Sequence, residues 1–485
     1  MNDYKIKELY EKMEMDLIDS MKRNLSRHLA EEEEVGFKYT QWQAEKLKEL
    51  KRFQRENKKT IGGYVKGLNK EVSEHLQEEL RQGSISAIKQ YNKLLGDNKN
   101  PSKLMNRSFF RTNDRKVKAL IKAVNNDLNK ANIGALRMIN DEYRQIIHKS
   151  AFFVANGVKT EKQATSMAIK EISEKKATME ACDEVSKTFL AGGLNCIEYS
   201  NGRRVNIASY AAMAVRTASL RAHLMGEGDF RKSIGRTLVK VTSHGGACKL
   251  CTAWQGKVLV DDVYSGGEPD GKHQLLSEAM KQGFLHPNCR HGITTYYPEL
   301  EGISYDEDEG DEFLPDELIS RRNYVIRNIK KYDRLSSGQI DPDNIKNYKN
   351  RKKSWEDMKP IDYYDTNDRN MIKYKINQFE EKIIDSDIEH AYIFNRFGEI
   401  LKIDGNTGIV RIPSWIDLKD SIITHNHPKL STNYSLSEDD LTLFFNRDVK
   451  ELRGLDNEYK YYIKRKKNTI VDVDSLKQDM SINQS

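Results

Sequence analysis

The 485-residue sequence lacks the marks of several protein classes. No apolar run approaches the ~20 residues needed to cross a bilayer as a helix, so a soluble chain without membrane contact is expected. The opening residues, MNDYKIKELYEKMEMDL, have neither the apolar centre nor the small-residue cleavage site of a secretory signal, and export by that route is not expected. Cysteine is sparse and odd in number, five in all, which argues against a disulfide scaffold and for a reducing compartment with thiols that are free or metal-bound. An excess of one charge is also missing: 80 Lys plus Arg against 73 Asp plus Glu leave +7, and the signs interleave as on solvated helix faces. Proline is the most informative absence. Only Pro101 occurs in the first 268 residues and the other eight fall from Pro269 to Pro428, so the front half is free to form long helices.

The apolar pattern agrees. Ile6, Leu9, Met13, Leu17, Met21 and Leu25 recur at three- or four-residue steps, an amphipathic stripe that the acidic run Glu31 to Glu34 brings to an end. Further helices are expected over Gln41 to about Leu80, Lys116 to Leu128, Asp141 to Ala155 and Glu161 to Leu190. Near Gly226 the texture changes, and Gly, His, Cys and Pro become frequent. An acidic block, SYDEDEGDEFLPDE, then precedes a Lys/Arg-rich stretch from Arg321 to Lys359, and the two together read as a charged linker with a polar helical piece. Beyond it, EHAYIFNRFGEILKIDGN and GIVRIPSWI read as strands and turns. SEDDLTLFFNRDVKEL reads as a helix capped at Ser437, with Leu441, Phe444, Phe445 and Val449 at helical spacing. The expected fold class is an α-helical N-terminal half with a small zinc-knuckle α+β module, followed by a separate α/β domain. The expected boundaries are 1–230 for the helical body, 231–303 for the Cys/His module, 304–360 for the linker, 361–470 for the C-terminal domain and 471–485 for a tail.

Six of the eleven histidines fall in two windows, His244 to His291 and His425 to His427, and the first window also holds three of the five cysteines. Cys248 and Cys251 form a C-x-x-C pair, the spacing with which one turn of backbone presents two thiolates to a tetrahedral ion. His286 and Cys289 repeat that gap beyond a loop. Four ligands from two such knuckles make a closed site, the structural kind of zinc site. A redox C-x-x-C is disfavoured because the pair does not sit at a strand-to-helix junction of a βαβ unit and two more soft ligands follow. The fourth ligand stays open, since His291 or His244 could stand in for His286. Cys182 and Cys196 lie in helical context and are expected to be packed small residues.

The stretches NGRRVNIASYAAMAVRTAS, SHGGACKLCTAWQGKV and HPNCRH, following SFFRTNDRKVKALIKAVNNDL, resemble the phage minor capsid protein 2 family and the wider phage head-morphogenesis proteins. Those proteins share a C-x-x-C followed by a late H-P-x-C-R element. The resemblance covers about residues 1–300. It implies a helical minor-capsid body in a virion component of few copies, assembled in the host cytoplasm and associated with portal and capsid proteins. Where many head-morphogenesis relatives close the module with Cys, this chain has His291.

The second window is IITHNHPKLSTNYSLSEDDL. On a strand end, residues i and i+2 project to the same side, so His425 and His427 can reach one ion. A carboxylate at a following helix start would complete a His-His-Asp set and leave one zinc position open for water, as hydrolysis requires. The segment resembles the JAB/MPN, or JAMM, metallopeptidase motif over about residues 385–465. That resemblance implies Glu389 as general base, His425, His427 and Asp440 as zinc ligands, and Ser437 as support for the oxyanion. The family's usual spacing selects Ser435 and Glu438 instead; a loop longer by two residues selects Ser437 and Asp440, which we favour because Asp is the usual ligand. Glu399 is an alternative base. The bland reading takes HNHP as a turn with incidental histidines.

Three functions compete on these grounds. The first is a minor capsid component that also carries a C-terminal zinc isopeptidase or peptidase acting on a peptide substrate. The second is a phage-borne peptidase effector or maturation protease whose front half is a delivery module. The third is a nucleic-acid-binding head protein, drawn from the basic and aromatic segments RNIKKYDR and YKNRKKSW.

Overall fold

The computed structural model describes residues 3–35, 39–95, 107–155, 174–243, 247–287, 289, 291–300, 315–428 and 436–465. The chain forms two compact units, one drawn from Met1–Phe313 with Arg334–Ile345 and the other from Leu314–Asp333 with Lys346–Ser485. None of the described helices is long and apolar enough to cross a membrane.

The first unit begins with long helices, as the missing prolines predict. Helix α1 (Asp3–Val35) buries Ile6, Tyr10, Met13, Leu17, Met21 and Leu25. Tyr10 takes the place expected for Leu9, which is only half-buried, and the helix runs on through the acidic residues that end the stripe. Helix α2 (Tyr39–Leu95) has 57 residues, about 85 Å of rod at 1.5 Å per residue. Helix α3 (Arg107–Ala155) joins the two helices expected at Lys116–Leu128 and Asp141–Ala155. The expected break is bridged by Ala131 and Ala135, both buried, whose small side chains continue the apolar stripe too weakly to register as hydropathy. Helix α4 (Glu174–Gly192) is the described part of the helix expected from Glu161; residues 161–173 lie outside the described residues.

A two-stranded hairpin, β1 (Ile197–Glu198) and β2 (Arg204–Val205), leads into helix α5 (Ile207–Ser233), which packs along α2. Glycine makes that approach possible. A Cβ at Gly226 would collide with the Leu80 carbonyl, and one at Gly83 with the His223 carbonyl, while Ser84 Oγ donates to the Gly226 carbonyl at 3.0 Å. Cys196 corrects the sequence reading: it sits in the turn between α4 and β1, not on a helix, where burial pushes its thiol up to about 12. Cys182 is buried in α4, as expected of a packed small residue.

The Cys/His segment then folds as a four-stranded sheet of order β5-β4-β3-β6. It comprises β3 (Leu238–Val241), helix α6 (Lys249–Thr252), β4 (Val258–Val260), β5 (Gln274–Leu275), helix α7 (Leu276–Lys281) and β6 (Ile293–Thr295). Its core holds Val239, Val241, Trp254, Leu259, Phe284 and Ile293, with Cys251 and Cys289 among them. Arg231 at the end of α5 is fully buried and donates to Asp261 Oδ2 at 2.9 Å. Asp261 also accepts from the Tyr264 and Ser265 amides.

Of the stretch expected as a charged linker with a polar helical piece, residues 304–314 lie outside the described residues, and the rest holds two helices, α8 (Asp316–Gly338) and α9 (Pro342–Asp357). Its aromatics meet in pairs: Tyr332 stacks on Tyr348, and the exposed Tyr324 meets Trp355 edge-on. The second unit centres on a six-stranded mixed sheet of order β12-β11-β10-β8-β9-β7. In chain order it contains β7 (Asp362–Tyr363), helix α10 (Arg369–Ile383), β8 (His390–Phe394), β9 (Glu399–Asp404), β10 (Ile422–Asn426), helix α11 (Glu438–Asn446), β11 (Glu451–Leu455) and β12 (Lys460–Lys464). Alternation along the strands divides two cores. Ala391, Ile393 and Ile423 pack with Phe444 of α11, whereas Tyr392, Phe394 and Ile422 pack with Ile376, Phe379 and Ile383 of α10. GIVRIPSWI forms no strand. Pro413 cannot donate to a ladder, and Val410, Ile412 and Ile416 pack into the α11-side core from irregular backbone.

Candidate metal centres

The first cluster is built from two matching turns. Cys248 occupies the N-cap position of α6, and its carbonyl accepts from the amides of Cys251 at 3.0 Å and Thr252 at 2.9 Å. His286 repeats the device with the amide of Cys289 at 2.9 Å. The turns bring five donors together as two triads that share Cys251: Cys248, Cys251 and His286 on one side, and Cys251, Cys289 and His291 on the other. The separations are 3.1 Å for Cys248 Sγ to His286 Nε2, and 3.5 Å both for Cys251 Sγ to Cys289 Sγ and for Cys289 Sγ to His291 Nδ1. All three cysteines are unpaired with one another covalently. Ligands around a tetrahedral zinc with bonds of 2.0–2.3 Å stand about 3.3–3.8 Å apart; the two 3.5 Å separations fall in that range, the 3.1 Å one is shorter, and the sulfur and imidazole donor set suits that ion. His244, the third histidine considered, lies outside the described residues.

Electrostatics differ within the cluster. Burial works against the Cys248 thiolate, but the His286 ring and the backbone amides outweigh it and lower the thiol to about 7. Cys251, deeper and flanked by the two other sulfurs, is pushed up to about 12, first by burial. The ring nitrogens also have distinct partners. His286 Nδ1 lies 2.8 Å from the Pro287 carbonyl and donates to it, while Nε2 faces Cys248. His291 Nε2 meets the Gln255 side-chain amide at 3.0 Å, and Nδ1 faces Cys289.

The second cluster sits where β10 ends opposite the start of α11. His425 and His427 fall on the same side of β10, both buried, with their Nε2 atoms 3.1 Å apart. Asp440 Oδ1 lies 3.5 Å from His425 Nε2. These two separations bracket the ~3.3 Å expected between nitrogen and oxygen ligands of a tetrahedral zinc, and the three donor atoms converge within 4.8 Å of one another. Asp440 is aimed by a capping box: Ser437 Oγ donates to Asp440 Oδ2 at 2.7 Å and accepts from the Asp440 amide at 3.1 Å. Glu438, the carboxylate selected by the usual motif spacing, is exposed, and Ser435 lies outside the described residues. Burial disfavours a charged His425, yet Asp440 and Glu389 together raise its pKa. Asp440 is correspondingly held below the usual carboxylate range.

Glu389 immediately precedes β8. Since His425 pairs with Ala391, and Glu389 lies two residues before Ala391, its side chain shares the face of the histidines. Burial raises its carboxyl pKa against the opposing pull of His425 and the Val410 amide. Glu399, the alternative base, is elsewhere. It is buried beyond the far end of β8, held by Arg321 Nε at 3.1 Å and Nη2 at 3.0 Å and by Asn395 at 2.8 Å, and belongs to that ion pair. The sequence reading missed Gly454 on β11. A Cβ there would lie 3.3 Å from the His427 ring, and a lone glycine inside the apolar strand ELRGL is the signal that could have flagged it.

The family model for phage minor capsid protein 2 matches residues 3–179 and 172–359, and the chain belongs to that family. A structural protein of Lactococcus phage LL-H is 26% identical over 227 residues, covering 44% of this chain and 54% of the relative. The chain therefore spans about half the length of the curated relative it matches. No solved structure matches. The HNHP segment lies beyond the matched residues.

Proposed function

We propose that this minor capsid protein is a low-copy virion component bound to portal and capsid proteins, with a C-terminal domain that is a JAB-like zinc hydrolase of peptide or isopeptide bonds. The observation that carries the enzymatic half is the convergence of His425, His427 and Asp440 beside the half-buried Glu389. His425 Nε2, His427 Nε2 and Asp440 Oδ1 would hold the ion. Bound there, zinc would supply Lewis acidity and lower the pKa of a coordinated water to about 7. Glu389, its proton affinity raised by burial, accepts a proton at its carboxylate and can return it to a departing amide nitrogen. The exposed Ser437, on the rim of the site, keeps its hydroxyl on Asp440 and steadies that ligand.

The Cys-rich cluster is read as a structural zinc site of Cys248, Cys251, Cys289 and His286. His286 is preferred over His291 because His286 and Cys289 repeat the turn that presents Cys248 and Cys251. The test is metal content together with hydrolysis. The full chain should carry two zinc ions, His427→Ala should carry one, and Glu389→Gln should carry two while losing cleavage of a quenched-fluorescence peptide library. A full-length protein with one zinc, unchanged by His427→Ala, refutes the C-terminal site.

A further inference from the structure

We infer that Asn426, the residue between the two histidines, is the positioning residue of Glu389. Its side-chain amide grips the main chain on both sides of Glu389 and thereby sets where that carboxylate stands. The inference rests on the zinc-hydrolase reading and adds to it the part that holds the base.

Strands β10 and β8 pair through backbone from Ile422↔Phe394 to His425↔Ala391, and there the ladder stops. The next groups on the β8 side, the His390 amide and the Ile388 carbonyl, are taken by the Asn426 side chain instead. Its Oδ1 accepts from His390 N at 2.8 Å and its Nδ2 donates to Ile388 O at 3.0 Å. Those two groups flank Glu389, because in an extended chain the carbonyl of residue i−1 and the amide of residue i+1 point to the same edge. The other edge is held as well: Glu389 N donates to Asn406 O and Gly405 N to Glu389 O, each at 2.8 Å. Glu389 is thus fixed from both sides of its backbone, and on the β10 side by a side chain alone.

The chemistry selects asparagine. A carboxamide offers one donor and one acceptor at a fixed separation, as a peptide group does, so it can continue a ladder past the last paired residue. Aspartate would keep the acceptor and lose the donor; leucine or alanine would lose both. Asn426 is fully buried, so water cannot substitute for it. Asn426 is joined through the backbone to both proposed ligands, so one residue ties the spacing of base and ligands together.

The test uses the full-length chain with Co2+ as the probe, comparing wild type, Asn426→Ala, Asn426→Asp, Glu389→Gln and the Asn426→Ala/Glu389→Gln double variant. Amide hydrogen exchange should quicken roughly five- to tenfold in Asn426→Ala at residues 388–390 while 392–394, held by the ladder, stay protected. Cobalt affinity should stay within about threefold of wild type, well short of the 10- to 100-fold lost when a ligand's own support is removed. The visible spectrum of bound cobalt in Asn426→Ala should match that of Glu389→Gln, the double variant should show no further change, and Asn426→Asp should fall between. If Glu389→Gln alters the cobalt spectrum and Asn426→Ala does not, or if Asn426→Ala loosens the whole strand, the inference is overturned and the hydrolase reading stands. If Glu389→Gln leaves the spectrum as in wild type, the hydrolase reading itself fails and takes the inference with it.

Discussion

The two histidine-bearing clusters are built on different elements, turns in one and a strand end with a helix start in the other. In the first, short turns carry Cys251 and Cys289 into an apolar core with Trp254, Phe284 and Leu259, while Cys248 stays exposed. In the second, the histidines stand at the end of a central strand of a regular sheet, beside a helix start, with Asp440 and Glu389 facing them. Sulfur at the centre of a small core suits an ion that replaces missing hydrophobic contacts. Imidazole and carboxylate beside a half-buried acid suit an ion that works on water. The lesson is that a metal-ligand count says little until the surroundings of the donors are known.

The largest effect should come from the first cluster. Cys251→Ser removes the sulfur that both triads share, and since structural zinc contributes about 10–16 kcal/mol to folding, residues 238–295 should lose protection in hydrogen exchange together with the metal. Retained folding would erase the contrast between the clusters. Next, His427→Ala should strip the C-terminal ion yet leave the melting of its domain nearly unchanged, within about 2 kcal/mol, because both cores of the sheet remain.

Gly454→Ala sharpens the comparison from the side. Its added methyl meets the His427 ring, so metal affinity should fall about tenfold and stability by about 1–3 kcal/mol, read by zinc competition and denaturant melts. The smallest effect belongs to Glu438→Ala, which should leave zinc binding unchanged and stability within about 0.5 kcal/mol. Asp440→Ala, two residues on, should lose the ion and about 1 kcal/mol of helix capping. Equal losses from these two substitutions would break the assignment of the acid.

Much of this was legible before any coordinates. Proline scarcity and the Ile6 to Leu25 stripe gave the helical front, because periodicity survives wherever large apolar residues mark it. It failed at Ala131 and Ala135, where packing depends on small side chains, and over 316–357, where two helices are polar enough to pass for linker. In the sites, spacing alone picked out His425, His427 and both cysteine turns as groups that the fold brings together, since donors for one ion would recur within one turn or on one strand face. Spacing could not choose between Asp440 and Glu438, which the capping box of Ser437 orients, nor between Glu389 and Glu399, which the β8–β9 register separates. Asn426 and Gly454 act through contacts across strands, and a single sequence carries no trace of its cross-strand neighbours.

The buried Arg231–Asp261 pair bears on how this protein can be taken apart and how its pieces can be inherited. The seam that the sequence suggests, between residues 230 and 231, falls at the root of that pair. A shuffled gene or a trimmed fragment cut there would keep Arg231 with Asp261 but take the arginine off helix α5 and away from Glu227, whose carboxylate accepts from Arg231 Nη1 at 3.2 Å. The cysteine module is therefore no detachable cassette. Recombination that keeps it intact has to carry the last turns of α5 as well, and the minimal heritable block extends back into the helical body.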